Sequence, residues 1–448
     1  MTAERRPNAP PSAPRPGAPK PFEPPPDDPD RSELRPDETP DRRGRSDRAP
    51  EDGAAFKAEL KAAARAIGLD AVGVTTADPF HELRPILEEY YGRGYDSGFE
   101  KGTIDERVDP RRTMPWAQSI IAAAMAYPSK LKNAPKSVPG ARRGFIARSA
   151  WGRDYHGVLR ERLEALLAWI RERVPSVRGE ILVDTGVLSD RAVAARAGIG
   201  WIGKNGLLIT PDYGSFVYLG ELVLDLPLPP DAPMADRCGT CTKCLDACPT
   251  SAFIRPGALD SKKCLSYHTQ TKGMVPLPYR EKLGSRLYGC DTCQVVCPYN
   301  RGVDADHHPE FRPDPEVVKP LLMPLIGLSK KAFADTFAKT AAGWRGKRTL
   351  ERNAIIALAH HRAPEAVPVL AERLALDPRP VIRGTAAWAL GKIGGEAAKA
   401  ALETARARER DPMVREEIEA ALARLSGVSG RSGAEEEGRP ANDRSGVG

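Results

Sequence analysis

Apolar positions change their period several times along this chain, and the changes mark out its parts. From Phe56 to Ile67 they recur every three to four residues, as an amphipathic helix requires. "DAVGVTTA" follows as a short strand-like run, a helix is predicted from about Pro79 to Tyr91, and "SIIAAAMAY" is an apolar run of strand character. "YHGVLRERLEALLAWIRERV" returns to helical spacing. "EILVD" then reads as a strand, Ser189 to Ala197 as a helix, and "GLLIT" and "SFVYLGELVLDL" as strands. Strands alternating with helices over residues 53–230 predict an α/β domain.

From about Leu350 the pattern becomes purely helical, and it repeats. "RPVIRGTAAWALGKIGG" matches "DPMVREEIEAALARLSG", setting Arg383 against Arg415, Leu390 against Leu422 and Ile393 against Leu425. A fainter copy in "ERNAIIALAHH" sets Leu358 against Leu390. Short helix pairs of this period predict HEAT-like repeats within a helical region spanning residues 311–427, units that bury their faces only against one another. Residues 1–52 are dominated by Pro, Arg, Asp and Glu, and residues 428–448 are as poor in apolar side chains. Both are expected to be disordered tails.

Composition narrows the chemistry. The 448 residues leave room for two or three domains. No apolar run is long enough to cross a membrane, and the basic N-terminus lacks the apolar stretch of a secretory signal. The expected location is therefore the cytoplasm, where eight cysteines point to metal or redox chemistry rather than disulfides. The formal net charge of +7 suits nucleic acid but also many ordinary proteins, so it decides nothing.

Cys238, Cys241, Cys244 and Cys248 follow C-x2-C-x2-C-x3-C with Pro249 behind, the spacing of a bacterial two-cluster ferredoxin, and the predicted ferredoxin-like domain covers residues 231–310. Zinc prefers two separated C-x2-C pairs, so the successive gaps and recurring proline favour iron–sulfur clusters. A second run supplies Cys290, Cys293 and Cys297 before Pro298, and Cys264 is the only cysteine left to complete it. Crossing the fourth ligands gives one 4Fe–4S cluster from Cys238, Cys241, Cys244 and Cys297, and another from Cys248, Cys264, Cys290 and Cys293. Residues 265–289 are then tethered at both ends to the second cluster. Such a loop either presents polar groups to the electron acceptor or is a tolerated insertion.

"VDTGVLSDRAVAARAGIGWIGKN" puts Asp184 at the C-terminal end of a predicted strand, where α/β folds place their chemistry. Asp-Thr-Gly is also an ordinary cap or turn. Gly198, Gly200, Gly203 and Gly206 satisfy neither the dinucleotide nor the phosphate-loop pattern, so nicotinamide and ATP sites are not expected.

Residues from about 55 to 426 resemble the epoxyqueuosine reductase (QueG) family, relatives of the corrinoid iron–sulfur reductive dehalogenases. The resemblance rests on "RVDPRRTMPWAQSIIAAAMAYP", "WGRDYH", "VDTGVLSDRAVAARAGIGWIGKN", "GSFVYLGEL", both cysteine runs, "CLSYHTQTKG" and the HEAT-like end, in one order. It implies cobalamin bound in the α/β domain near the second cluster. It further implies reduction of the epoxide of epoxyqueuosine, at the wobble position of a tRNA anticodon, to the alkene of queuosine. Asp184 matches the family's proton donor, and Arg107, Asp184, Ser266 and Asp291 match corrin contacts, with Asn205 and Thr210 as further candidates. To act as an acid near neutral pH, Asp184 has to be desolvated in an apolar pocket.

"DYHGVL" carries Asp154 and His156 at the spacing of a cobalt-ligating D-x-H-x-x-G, but Leu159 stands in the glycine position. Base-off cobalamin with no protein histidine on cobalt is the expectation, with His156 structural or near substrate. An anticodon arm needs phosphate contacts. Lys272, Arg345, Lys347, Arg348 and Arg352 supply candidates, although a solvated basic face is the commoner meaning of such clusters. Tyr267 or His268 is a candidate for stacking on a base, or for ordinary packing. The expected partners are epoxyqueuosine tRNA and an unidentified low-potential electron donor, with no membrane and a monomeric enzyme. The alternatives are a reductive dehalogenase, for which "ERRPNAP" has the arginine pair of an export signal but no apolar region, and a non-catalytic electron-transfer module.

Overall fold

The computed structural model describes residues 52–427. The two tails expected to be disordered lie outside the described residues, apart from Asp52, whose carboxylate accepts the Ala54 and Ala55 N–H groups and caps the helix Gly53–Ile67. A left-handed Gly68 (φ 99°) ends that helix. Four strands form the main sheet in the order Ala71–Thr76, Ser119–Ala126, Val217–Leu224, Gly179–Leu182. Strands and helices alternate along the chain as an α/β domain requires, and every neighbouring pair in the sheet is antiparallel. Ser119–Ala126 is buried at every position because both faces are covered.

On one face Phe56, Leu60, Leu159, Leu163 and Leu222 pack under the helices Gly53–Ile67 and Tyr155–Arg173. On the other, Ala122, Ala124 and Val223 meet Val193 and Ala194 of the short helix Asp190–Arg196. The close seat of that helix needs glycine. A Cβ on Gly73 would lie 2.0 Å from the Ala197 carbonyl oxygen.

The cysteine region carries two one-turn helices, Lys243–Asp246 and Thr292–Val295. Between them, the split segment folds into the helices Leu265–Gln270 and Leu277–Leu283 and the strand Arg286–Tyr288, which pairs in parallel with Phe145–Ile146. It is a folded piece, not a loose loop.

Regular helix pairs begin at Lys347: Lys347–His360, Val367–Leu376, Pro380–Ile393, Glu396–Arg408 and Pro412–Leu425. Residues 311–346, expected as part of the helical region, consist of short turns and one-to-two-turn helices. The repeat helices share one core with the split segment. Leu265, Leu283 and Leu287 pack in the same cluster as Leu358, Leu390 and Leu422.

Candidate active site

A cavity of about 1170 Å3 opens between the sheet, the split cysteine segment and the start of the repeats. It exceeds the roughly 300–1000 Å3 of ordinary small-molecule pockets. Cys248, Cys264, Cys290 and Cys293 all lie in its wall. The other four cysteines, Cys238, Cys241, Cys244 and Cys297, line a separate small pocket with Lys204, Asn205 and Tyr299. The grouping is four and four, with Cys248 and Cys297 each exchanged to the other run's set.

The donor chemistry fits clusters. Burial, then the neighbouring cysteines, push the thiols of Cys264 and Cys293 up, so four sulfurs this close ionise together only around a cation. Backbone N–H groups of Ser266 and Tyr267 reach the Cys264 sulfur, and Ala252 N–H lies 3.3 Å from that of Cys248. Bonds of this kind set cluster potentials.

Opposite the second cysteine set stands Asp184. Its backbone is left-handed (φ 54°), which holds the carboxyl at the cavity wall beyond the strand Gly179–Leu182. The Tyr155 hydroxyl donates to Asp184 Oδ2 at 2.7 Å, and His156 Nε2 lies 3.6 Å from the same oxygen. Tyr155 and His156 open the helix Tyr155–Arg173, whose cap, Asp154, holds His156 Nδ1 at 2.7 Å. Burial works against the His156 charge, but hydrogen bonds to Asp154 and Asp184 outweigh it and push its pKa up to about 9. The Tyr155 ring stacks parallel on Tyr218 with centroids 4.3 Å apart, which fixes the hydroxyl. One expectation fails: the Asp184 side chain is 62% exposed, not sunk in an apolar pocket, because its turn projects past the sheet edge.

Behind Asp184 lie two carboxyls that no motif in the sequence singles out. The Asp190 carboxylate accepts the N–H of Asp184, and Glu221 is buried in the sheet beneath. Their signal was present but unspecific. A charged residue at an inward position of an apolar strand is the pattern that finds Glu221.

Of the candidate corrin contacts, Arg107, Asp184, Asn205, Ser266 and Asp291 line the cavity. Arg107 Nε and Asn205 Nδ2 are buried without a hydrogen-bond partner, two donors on the wall that fit an amide-rimmed cofactor. Asp291 is held by Arg148 through Nη1 at 2.9 Å and the backbone N–H at 3.1 Å. Thr210 is corrected. It is 1% exposed, its hydroxyl donates to the Gly214 carbonyl and accepts Tyr213 N–H, and it closes a turn away from the cavity.

The basic candidates divide. Lys272 and Arg348 are exposed. Lys347 Nζ donates to the Leu328 carbonyl at 2.8 Å, and Arg345 Nε to that of Gln270 at 2.7 Å while its guanidinium lies over Trp344 and Phe99. Arg352 is corrected as a phosphate contact. It is fully buried and spends its donors on the carbonyls of His268, Thr271 and Gly273, clamping the split segment to the first repeat helix. His268 is buried and Tyr267 packs on Phe99 at 5.5 Å, so ordinary packing accounts for both. Trp344, 52% exposed at the cavity rim, is an aromatic ring reachable there, with Arg345 over it and Phe99 against its edge.

Three family models match the chain: epoxyqueuosine reductase QueG, DUF1730, over residues 107–185; a 4Fe-4S double cluster binding domain over 237–300; and HEAT repeats over 346–423. The chain is 53% identical over 371 residues to an epoxyqueuosine reductase of Bacillus cereus, covering 83% of this chain and 98% of that one. It is similar to a solved epoxyqueuosine reductase with a tRNA-Tyr epoxyqueuosine-modified stem loop, with a TM-score of 0.82 and 50% identity over 84% of this chain and 100% of the other. It is equally similar to the Bacillus subtilis epoxyqueuosine reductase with an aspartate catalytic loop swung out of the active site, at a TM-score of 0.82 and 49% identity over 84% and 100% of the two chains.

Proposed function

The chain belongs to the epoxyqueuosine reductase family, and we propose that it reduces the epoxide of epoxyqueuosine, at the wobble position of a tRNA anticodon, to the alkene of queuosine. The observation that carries this reading is the shared cavity, where Asp184, Tyr155 and His156 face Cys248, Cys264, Cys290 and Cys293. Cobalamin bound there and fed by two 4Fe–4S clusters supplies strongly reducing two-electron chemistry. Arg107, Asn205, Ser266 and Asp291 hold its periphery. His156 is the one histidine lining the cavity among the described residues, and it is engaged by Asp154 and Asp184. That supports a base-off cofactor without protein histidine on cobalt.

Asp184 hands a proton to the epoxide oxygen. Tyr155 orients its carboxyl and cationic His156 offsets negative charge left on it. An exposed carboxyl on a left-handed turn is suited to close over substrate, and the swung-out aspartate loop of the Bacillus subtilis enzyme supports such movement. Closure over the flipped nucleoside would supply the desolvation that the open cavity lacks. Lys272 and Arg348 contact anticodon phosphates, with Arg345 and Lys347 beside them, and Trp344 offers a face for a base. The enzyme works as a cytoplasmic monomer with an external low-potential electron donor. Its α/β, ferredoxin-like and helical parts span residues 53–230, 231–310 and 311–427.

The test is anaerobic reduction of epoxyqueuosine tRNA with added cobalamin and a low-potential reductant, followed by mass analysis of the nucleosides. Loss of one oxygen with the parent, and at least a hundredfold slower loss with Asp184→Ala, is expected. An unchanged nucleoside after cobalamin has bound would sink the assignment.

A further inference from the structure

Reducing an epoxide to an alkene consumes two electrons and two protons. Both carbon–oxygen bonds break, the carbon–carbon double bond forms, and the oxygen leaves as water. The external donor supplies the electrons. Asp184 carries one proton at a time, so the second has to reach it within the same turnover.

Glu221 lies in the strand Val217–Leu224, paired with Leu182, two residues before Asp184. Strand alternation puts it on the same face as Val217 and Leu219, which line the cavity. It is 1% exposed, and neither carboxyl oxygen has a hydrogen-bond partner among the described residues. An ionised carboxylate without donors in an apolar core is prohibitively costly, whereas the neutral acid is tolerable. Burial holds its pKa well above the carboxylate range, and the charges of Asp190 and Asp184 add to that. Asp190 opens the helix packed against this face of the sheet and lines the cavity, with its carboxylate on the Asp184 N–H. Burial and then the charge of Asp184 push Asp190 up to about 7, against hydrogen bonds from its own N–H and that of Asp184 and the charge of Arg107.

We propose that Glu221 stores a proton behind the cavity wall and passes it through Asp190 to Asp184, so that the protein itself provides the second proton of the reduction. The proposal rests on the epoxide-reduction reading. Asp184 first loses its proton to the epoxide oxygen. Asp190 then gives its own to the Asp184 carboxylate, Glu221 refills Asp190, and Asp184 delivers the second proton as water departs. Solvent returns both protons afterwards. The groups around this path are Arg107 on the cavity wall, Arg191 beside Asp190 on the same helix, and the Tyr155 hydroxyl and His156 at Asp184. Glu221 acts through Asp190, so it is a positioning residue.

Glu221→Gln keeps the size and neutrality of the stored acid but has no proton to give. It is expected to keep its clusters and to bind tRNA as the parent does, while turnover falls at least tenfold and the alkaline limb of its pH profile moves to lower pH. Infrared titration of the protein as purified gives a second readout, without substrate. The carbonyl stretch of protonated carboxylic acid is expected in the parent at neutral pH, and Glu221→Gln is expected to lose the share of it that persists in the parent above the titration of Asp190. In Asp190→Asn, with one like charge removed, the band is expected to disappear at lower pH than in the parent. A parent that turns over but lacks the band, or a Glu221→Gln variant with parental turnover and pH profile, overturns the proposal. A parent that removes no oxygen from epoxyqueuosine instead overturns the epoxide reading, and with it the delivery step.

Discussion

Asp154 does two things with one oxygen: its Oδ1 accepts the backbone N–H of His156 at 3.1 Å, capping the helix, and holds the ring Nδ1 at 2.7 Å. The raised pKa of His156, about 9, follows from that contact and from Asp184. Because the folded value lies above the unfolded one, the contribution is fully present below about 6.5 and is lost as pH rises through about 9. Asp154→Asn is expected to bring the His156 pKa down by a unit or more, moving the alkaline limb of turnover with it. Ring-proton titration by NMR, or the pH profile of turnover, checks the shift. An unmoved limb would show that His156 does not carry charge for the reaction. Asp184 was legible in the sequence because the end of a strand followed by Asp-Thr-Gly is a recognisable place. The roles of Tyr155 and His156 were not, because only the packing of their helix against the Asp184 turn brings them together.

At the scale of elements, the segment between Cys264 and Cys290 is where the helical repeats grip the iron–sulfur region. Arg352 reaches three of its carbonyls, and Asn353 Nδ2 donates to the carbonyls of Thr269 at 2.8 Å and Leu287 at 2.7 Å. Arg280 and Glu417 add a two-pronged ion pair to the last helix. Arg352→Ala takes the guanidinium donors from the carbonyls of Thr271 and Gly273 and leaves that of His268 only the Thr271 hydroxyl, at a cost of roughly 1–3 kcal/mol. The second cluster, two of whose cysteines bound this segment, is expected to bleach first. Iron content and visible absorbance during mild denaturation measure it, and parental retention of both clusters would remove Arg352 from its clamping role. The sequence showed that this segment was pinned, but the partner that pins it lies far along the chain, beyond the reach of any local pattern.

Across the whole molecule, the chain returns to its beginning after the second cysteine run. Asp70, just before the first strand, takes His307 Nε2 on one oxygen and His308 Nε2 on the other, both at 2.7 Å, together with Ala126 N–H. Burial raises the Asp70 pKa, but the hydrogen bonds from His308, Ala126 and His307 outweigh it and hold it below the usual range. The clamp is therefore present above the ordinary carboxylate pKa and is lost as pH falls through the lowered value. Phe311, fully buried, follows into the core under the sheet. Asp70→Asn is expected to cost about 1.5–3 kcal/mol and to raise amide exchange in residues 303–311. Exchange there equal to the parent would show that Phe311 alone anchors the segment.

By itself, the sequence determined the order of helices and strands, the two cysteine runs with their missing member, and the repeat, because each of these is written at a fixed local spacing. Helical period, strand alternation and ligand spacing are all short-range constraints. Only the tertiary structure decided which distant groups meet. It turned Arg352 inward and Thr210 away from the cavity, left Asp184 more exposed than an acid alone should be, and set Glu221 and Asp190 behind it. Those placements depend on side chains from separate elements competing for one volume, and no spacing along the chain records that competition.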